Sequence, residues 1–239
     1  MRGIGQDNAA ASADAYLAWW SLAGVDCVAT DAPVNWLRPA PMAAPLAPLI
    51  KNESLPSAAP TDWAAFCSWL ATDASQPERG WPGAPILPTG PLHAPLMVIT
   101  DMPDLADIHA GTLLSERAGT LFDAMLRAIG LSRADLHVAS LFLTRPPGGM
   151  VEAADLAAAA DRMRAHVAIA APRRLLLLGD RTGSALALNG SADGLRSFNH
   201  HGGIVPAVAT IHPRLMLNRP AAKAECWRVL QCLIEERPK

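Results

Sequence analysis

The chain has 239 residues, of which 51% are hydrophobic and 18% are charged, enough to bury one good core and more typical of one globular domain with an N-terminal appendage than of two full domains. Residues 1–7 lack a basic start followed by an apolar run, and no segment approaches the roughly 20 apolar residues that a membrane span needs. We therefore expect no signal peptide, no membrane contact and a cytoplasmic location.

The net charge of -2 argues against a protein that coats DNA, but the charges are unevenly distributed. Residues 1–120 hold 5 basic and 12 acidic side chains, whereas residues 121–239 hold 15 basic and 10 acidic ones. This division is compatible with one phosphate-binding face on a nearly neutral protein. An acidic N-terminal part packed on a basic body produces the same division.

The four cysteines form no Cys-x-x-Cys pair, so they indicate neither a zinc site nor a disulfide framework. We expect buried or incidental thiols at Cys27, Cys67, Cys226 and Cys232.

The first 80 residues differ in composition from the rest of the chain. Residues 14–22 predict an amphipathic helix, residues 38–60 are rich in proline and alanine and predict a linker, and residues 61–71 predict a second helix capped by Thr61. We interpret residues 1–80 as a helical arm and linker packed on the core, and residues 81–239 as an α/β domain.

Beyond residue 95, short apolar segments alternate with helical patterns. The predicted strands are 96–100, 136–142, 174–179 and 204–211, and the predicted helices are 117–129, 152–170, 182–188 and 221–236. In the first of these helices Leu121, Met125 and Ile129 recur every four residues, Phe122 and Leu126 widen the apolar stripe, and Gly130 follows as a C-cap. The alternation predicts a three-layer α/β/α sandwich around a mostly parallel sheet.

Ligands of such open sheets bind beyond the carboxyl ends of the strands. Three segments follow predicted strand ends: residues 101–104, residues 144–149, and the segment that begins at His212. Neither a Gly-x-Gly-x-x-Gly turn nor a Walker lysine loop is present, so the sequence does not support a nucleotide cofactor.

The third of these segments has an unusual composition. His212 ends an apolar strand, and the predicted loop after it carries two arginines and three apolar side chains up to Pro220. Basic and apolar side chains side by side are suited to insertion into stacked bases, which suggests work on nucleic acid.

Together these segments resemble the uracil-DNA glycosylase superfamily, in particular its family 4, the iron-sulfur type, from about residue 96 to residue 233. The family's Gly-Glu-Ala-Pro-Gly corresponds to residues 100–104, and Gly111 and residues 117–119 fall at its glycine and arginine positions. The stretch Asn-Val-Val-Lys-Cys-Arg-Pro-Pro-Gly corresponds to residues 140–148, and His-Pro-Ala-Tyr-Leu-Leu-Arg corresponds to residues 212–218.

The resemblance implies base-excision repair of DNA by hydrolysis of the N-glycosidic bond of a flipped base. It assigns His212 to the leaving base and Asp101, in place of the family's glutamate, to the sugar or the attacking water. It places DNA contacts, to single strands or a flipped base, at Arg145, Pro146, Pro147, Arg214, Leu215, Asn218 and Arg219. Structural alternatives stay open: His212 as a cap of its loop, Asp101 as a turn residue, and the arginines as solvated surface residues.

The positions that bind the base depart from the family pattern. Ser140 replaces the asparagine that reads the uracil edge, Leu114 replaces the stacking aromatic residue, and Met102 lies in the first motif. The single hydroxyl of serine cannot replace an amide, which has both an NH2 donor and a carbonyl acceptor. An aliphatic side chain also stacks less well on a base than an aromatic one. We therefore expect weaker recognition of uracil.

The cysteines that hold the family's iron-sulfur cluster are also replaced. Thr144 and Ala159 stand at two ligand positions, and Cys67 alone lies near the first pair, out of register. We therefore expect no cluster and no other cofactor, and we expect the N-terminal part to brace the region instead.

Two hypotheses remain. In the first, the chain is a DNA glycosylase with an altered base pocket; in the second, it is a catalytically degenerate relative that acts as a DNA-binding or protein-interaction module. A third, an unrelated α/β hydrolase, lacks the Gly-x-Ser-x-Gly elbow.

Overall fold

The structure is a computed structural model that describes residues 14–19, 59–190 and 194–235. The chain divides into two units, Met1–Asn52 and Glu53–Lys239. In the first unit residues 14–19 are helical; the rest of the helix predicted over 14–22, and most of the predicted linker, lie outside the described residues. No helix in the described part of the chain has the length and apolar character needed to cross a membrane.

The second unit is built around a five-stranded sheet in the order β2-β1-β3-β5-β4. Four strands are parallel, and β4 pairs antiparallel with β5 in a hairpin. The predicted α/β class with a mostly parallel sheet is confirmed. The strands are β1 (Leu96–Thr100), β2 (Leu136–Ser140), β3 (Leu175–Leu178), β4 (Arg196–His200) and β5 (Gly203–Thr210).

Helices cover both faces of this sheet. Because successive side chains of a strand point to opposite faces, Leu96 and Val98 of β1 enter one apolar cluster while Met97 and Ile99 enter another. Helices α3, α6 and α7 supply the first cluster, and α4 and α5 supply the second. The helices are α1 (Trp63–Thr72), α2 (Leu105–Ala110), α3 (Glu116–Ala128), α4 (Ala153–Ala170), α5 (Asp180–Leu186), α6 (Pro213–Asn218) and α7 (Ala222–Glu235).

Helix α3 shows how the apolar pattern sets the packing. Phe122 and Leu126 are fully buried, whereas Leu121 and Met125 are half-buried, so the buried face is rotated from the predicted centre of the stripe. Gly130 follows the helix with a φ of 69°, the left-handed conformation in which helices commonly end. The predicted C-terminal glycine is confirmed.

Helix α1 begins two residues later than predicted, and its cap differs. The carboxylate of Asp62, not the hydroxyl of Thr61, caps it by accepting a hydrogen bond from the backbone N–H of Ala65 at 3.0 Å. Phe66 and Leu70 of this helix pack against Leu143, which follows β2. Residues 59–72 are therefore part of the second unit's core.

Three elements were not predicted. Strand β4 and the six-residue helices α2 and α6 occupy stretches that the sequence left as loops. In addition, the strand predicted over 136–142 ends at Ser140, so residues 141–145, of which all but Arg145 are buried, form an exit segment after β2.

Candidate functional site

The carboxyl ends of β1 and β3 meet at the point where the strand order reverses, which is where open sheets bind ligands. Asp101 follows β1, and Arg181 lies in the first turn of α5 after β3. Nη1 of Arg181 lies 3.4 Å from Oδ2 of Asp101, and its Nη2 lies 3.5 Å from the carbonyl oxygen of Gly149. Arg181 therefore joins two of the three predicted segments. Sequence reasoning missed it, although an arginine just after a buried strand was the available signal.

The carboxylate of Asp104 lies beside two of the arginines predicted to bind DNA. Its side chain caps α2 by accepting from the backbone N–H of Leu105 at 3.2 Å. Arg214 forms an ion pair with it, and Nη1 of Arg145 lies 4.0 Å from the same oxygen, Oδ1. These side chains are partly exposed, so each pair contributes little to stability. The single carboxylate nevertheless offsets part of the positive charge.

His212 is buried at the start of α6 and is the N-cap of that helix. Its Nδ1 accepts a hydrogen bond from the backbone N–H of Arg214 at 3.2 Å. Because a backbone N–H can only donate, the neutral ring carries its proton on Nε2. Among the residues that the structure describes, none bonds to that Nε2.

The charge state of His212 follows from its surroundings. Burial lowers the pKa of the imidazole below its ordinary value of 6.5, and the positive charge of Arg214 lowers it further. The carboxylates of Asp101, Asp104 and Asp107 raise this pKa, in that order of strength, but they do not outweigh burial. The imidazole is therefore neutral at pH 7 and can donate a hydrogen bond.

A small pocket of about 130 Å³ lies beside this histidine. Leu114 and Arg117 line it from the start of α3, and His212 and Leu217 line it from α6. The pocket thus combines an aliphatic wall with one neutral imidazole and with charged side chains of both signs, which are two arginines, Arg117 and Arg214, and three carboxylates, Asp104, Asp107 and Glu116.

The wall of the pocket is held in an unusual backbone conformation. Leu114 has a φ of 54°, which is rare for a side chain of this type. Arg133 donates to its carbonyl oxygen, and Asp107 accepts from both the N–H and the hydroxyl of Ser115, at 2.8 and 2.6 Å. A Cβ at position 119 would collide with that same carbonyl, so only glycine fits at Gly119.

The sequence pattern of the uracil DNA glycosylase superfamily matches residues 87–231, more than half of the chain. The chain belongs to the uracil-DNA glycosylase superfamily. The matched range contains all five strands and the segment that carries His212. No curated protein matches the chain.

The superfamily's fold is therefore confirmed, and the residues predicted to bind the base can be located in it. Leu114 lines the pocket with His212, whereas Asp101, Met102 and Ser140 are not among the residues that line it. Met102 is buried, with its Sδ 3.9 Å from Nη1 of Arg181. Ser140 is also buried, and its hydroxyl donates to the carbonyl oxygen of Phe142 at 2.7 Å. The base-binding roles stay predictions.

The segment after His212 is helix α6 and not the predicted loop, because Pro213 at its first position favours a helical start. Helical spacing sends Met216 into the core, leaves Leu217 half-buried at the pocket and exposes Leu215. Of the predicted DNA-binding residues, those that are largely exposed are Pro147, Leu215, Asn218 and Arg219, those that are half-buried are Arg145 and Arg214, and the one that is buried is Pro146.

The residues present do not fit an iron-sulfur cluster. Ala159 lies in the apolar core and Thr144 is buried, so neither offers a thiolate. Cys67 is half-buried on α1, where burial raises the pKa of its thiol. Within the described ranges no three His, Cys, Asp or Glu side chains are grouped so that they could hold a metal ion.

Proposed function

We propose that the chain is a DNA glycosylase that hydrolyses the N-glycosidic bond of a flipped deaminated or damaged base. Superfamily membership supports a glycosylase-like activity on DNA. The observation that carries the proposal is the state of His212, whose neutral imidazole has an Nε2–H free to donate beside a small pocket.

In the proposed reaction the bond between C1′ of the sugar and the ring nitrogen of the base breaks, and the base keeps the electron pair. The Nε2–H of His212 donates a hydrogen bond to the oxygen on which negative charge develops. Water then adds to C1′, and the proton that it loses neutralises the departed base anion. The carboxylate of Asp101 stabilises the cationic sugar or orients that water, and Arg181 holds this carboxylate at the switch point of the sheet.

Two of the predicted base-binding residues support a changed choice of base. The hydroxyl proton of Ser140 is used on Phe142, which leaves only its lone pairs to meet a base edge. Leu114 offers an aliphatic wall, so the stacking energy of about 1–3 kcal/mol per base that an aromatic residue supplies is reduced. We therefore use uracil as the substrate for comparison and do not assume that it is the base released fastest.

The test uses oligonucleotides that carry one uracil, hypoxanthine or xanthine, as single strands and as duplexes, with alkaline cleavage of the abasic product. The wild-type chain is expected to release at least one of these bases, and His212→Ala is expected to lose that release. His93→Asn is the matched control, because His93 is exposed and precedes β1, at the opposite edge of the sheet. If micromolar protein leaves every substrate intact, the catalytic proposal is wrong.

A second function, DNA binding or protein interaction without catalysis, is favoured by two contacts. Asp101 is engaged by Arg181, and Ser140 is engaged by Phe142, so two predicted site residues already have structural partners. This second function predicts salt-sensitive binding to DNA without release of a base. Binding unchanged in Arg219→Ala and in Arg214→Ala would count against a DNA-binding face built on α6.

A further inference from the structure

A buried ion pair joins two parts of the chain that are far apart in sequence. Arg162 of α4 and Glu78 of the short 3-10 turn Pro77–Gly80 have side chains only 5% and 4% exposed. Their contact is two-pronged, with Nη2 to Oε1 at 2.9 Å and Nη1 to Oε2 at 3.1 Å. Charges this deeply buried are tolerated in proteins only when they are paired and hydrogen-bonded.

The ion pair also forms hydrogen bonds with the backbone of the segment that follows β2. Oε1 of Glu78 accepts from the N–H of Leu143 at 2.8 Å, and Arg162 donates to the carbonyl oxygen of Leu141. Arg162 further donates to the side-chain oxygen of Gln76. Side chains therefore satisfy the backbone of the exit segment 141–145, where strand pairing has stopped.

The position of this network is informative. Leu143 directly precedes Thr144, and Arg162 lies one helical turn after Ala159 on α4. Thr144 and Ala159 stand where the resemblance to the iron-sulfur family expects cluster cysteines. The ion pair therefore bonds to the residue next to one of these positions and lies one helical turn from the other along the chain.

We infer that Gln76, Glu78 and Arg162 form a metal-free brace, which fixes the exit segment of β2 against α4 next to the two positions where the resemblance expects cluster cysteines. The exit segment ends at Arg145, which reaches Asp104 at the candidate site. The brace thus anchors the segment that carries this arginine. The brace does not depend on the proposed glycosylase activity, and none of the tests below measures base release.

The first test measures thermal unfolding of the full chain. Arg162→Met leaves Glu78 buried without its partner and is expected to lower Tm by roughly 6–20 °C. The double variant Glu78→Gln/Arg162→Met is expected to recover part of that loss, because Gln can still accept from Leu143 and no charge is left buried. A Tm unchanged by Arg162→Met, or a double variant less stable than the single one, would overturn the brace.

Arg164→Met is the matched control on the same helix. Arg164 pairs with Asp161, whose side chain is 71% exposed, and an exposed pair contributes little. A Tm shift below about 4 °C is expected. A shift as large as that of Arg162→Met would mean that any lost arginine on α4 has this effect, which would contradict the inference.

The second test is amide hydrogen exchange in Glu78→Gln, which keeps an acceptor but removes the charge. Faster exchange is expected at Leu143 and its neighbours in the exit segment, with Val98 in the centre of the sheet unchanged. Loss of protection spread evenly over both places would show a general loss of stability and not a local brace.

The third test is the metal content of the wild-type chain, purified without oxygen and then incubated with ferrous iron and sulfide. No stoichiometric iron and no visible absorption band are expected. One cluster per chain, lost in Cys67→Ser, would overturn the inference even if the variants with altered charges fail to fold.

Discussion

The backbone N–H of Arg214 donates a hydrogen bond to Nδ1 of His212 at 3.2 Å, so one nitrogen of the imidazole caps helix α6. The other nitrogen, Nε2, has no partner among the described residues and carries the proton. The capping role and the proposed role in base release therefore use different atoms of one side chain. Substitutions that keep one atom and remove the other can separate the two roles.

The first prediction concerns His212→Asn and His212→Ala. Asparagine is among the best N-caps, so His212→Asn should keep the wild-type Tm, whereas His212→Ala should lose about 1 kcal/mol of unfolding free energy. Both variants remove the Nε2–H, and base release should fall by roughly 10²–10³-fold in each. Full activity in His212→Asn would show that the histidine acts only as a cap. Thermal unfolding and cleavage of the best substrate are the two measurements.

The second prediction concerns Asp104, whose carboxylate is shared by Arg145 and Arg214. Asp104→Asn keeps a side chain able to cap α2 but removes the charge that offsets the two guanidinium groups. We expect tighter DNA binding. For each additional phosphate that the protein neutralises, the slope of log K against log salt should steepen by about 0.7–0.9.

Asp123→Asn is the control for this prediction, because Asp123 pairs with Arg133 on the exposed side of α3 and its removal changes the net charge equally. Binding isotherms on a single-stranded oligonucleotide at several salt concentrations make the comparison. If both variants tighten binding by the same factor, net charge explains the effect and the local arrangement does not.

The difference between what the sequence predicted and what it missed follows from the range of the interactions. Strands β1 and β3 and helix α4 were predicted because their apolar runs are local signals. Strand β4 was missed because only Phe198 among its residues is buried, and the six-residue helices α2 and α6 are too short for a helical period to show.

The site was predictable in its segments but not in its pairings. The carboxyl-end rule predicted that Asp101 and His212 lie at one edge of the sheet, and they follow strands β1 and β5, which both run parallel to β3. That Arg181 engages Asp101 depends on residues 80 positions apart. The partnership of Glu78 with Arg162 spans 84 positions, and no local pattern encodes either pair.

The third prediction concerns a buried histidine pair. Nδ1 of His137 lies 3.2 Å from the carbonyl oxygen of Pro91 and therefore carries the proton, so its Nε2 accepts from Nε2–H of His166 at 2.9 Å. Burial lowers the pKa of both imidazoles, and for His166 the charges of His137 and Arg162 lower it further. Protonation of the accepting nitrogen would set two N–H groups against each other.

Because both folded-state pKa values lie below the unfolded value of 6.5, the unfolded chain binds more protons at acidic pH. The stabilisation is fully present above pH 6.5 and is lost as pH falls below it, at up to about 1.4 kcal/mol per pH unit for each histidine. Urea midpoints at pH 7.5 and 5.0 measure this loss. His166→Gln should reduce the pH dependence, whereas His93→Asn, at an exposed site, should leave it unchanged; equal pH dependence in wild type and His166→Gln would contradict the assignment.

The fourth prediction compares two buried threonines that differ in the hydrogen bonding of their hydroxyl groups. The hydroxyl of Thr182 donates to the carbonyl oxygen of Leu178 at 3.1 Å, whereas the hydroxyl of Thr144 has no partner among the described residues. Valine keeps the branched shape and removes the hydroxyl. Thr182→Val should lose about 1 kcal/mol of unfolding free energy with its hydrogen bond, and Thr144→Val should lose none or gain up to about 1 kcal/mol, because an unpaired buried hydroxyl is costly.

Urea unfolding of both variants at one pH measures the difference. Thr144 stands at a position where the resemblance expects a cluster cysteine, so its tolerance of valine also tests whether a polar group is needed there. A loss in Thr144→Val as large as that in Thr182→Val would mean that the hydroxyl of Thr144 is hydrogen-bonded in solution. In that case the exit segment of β2 depends on Thr144 as well as on the ion pair between Glu78 and Arg162.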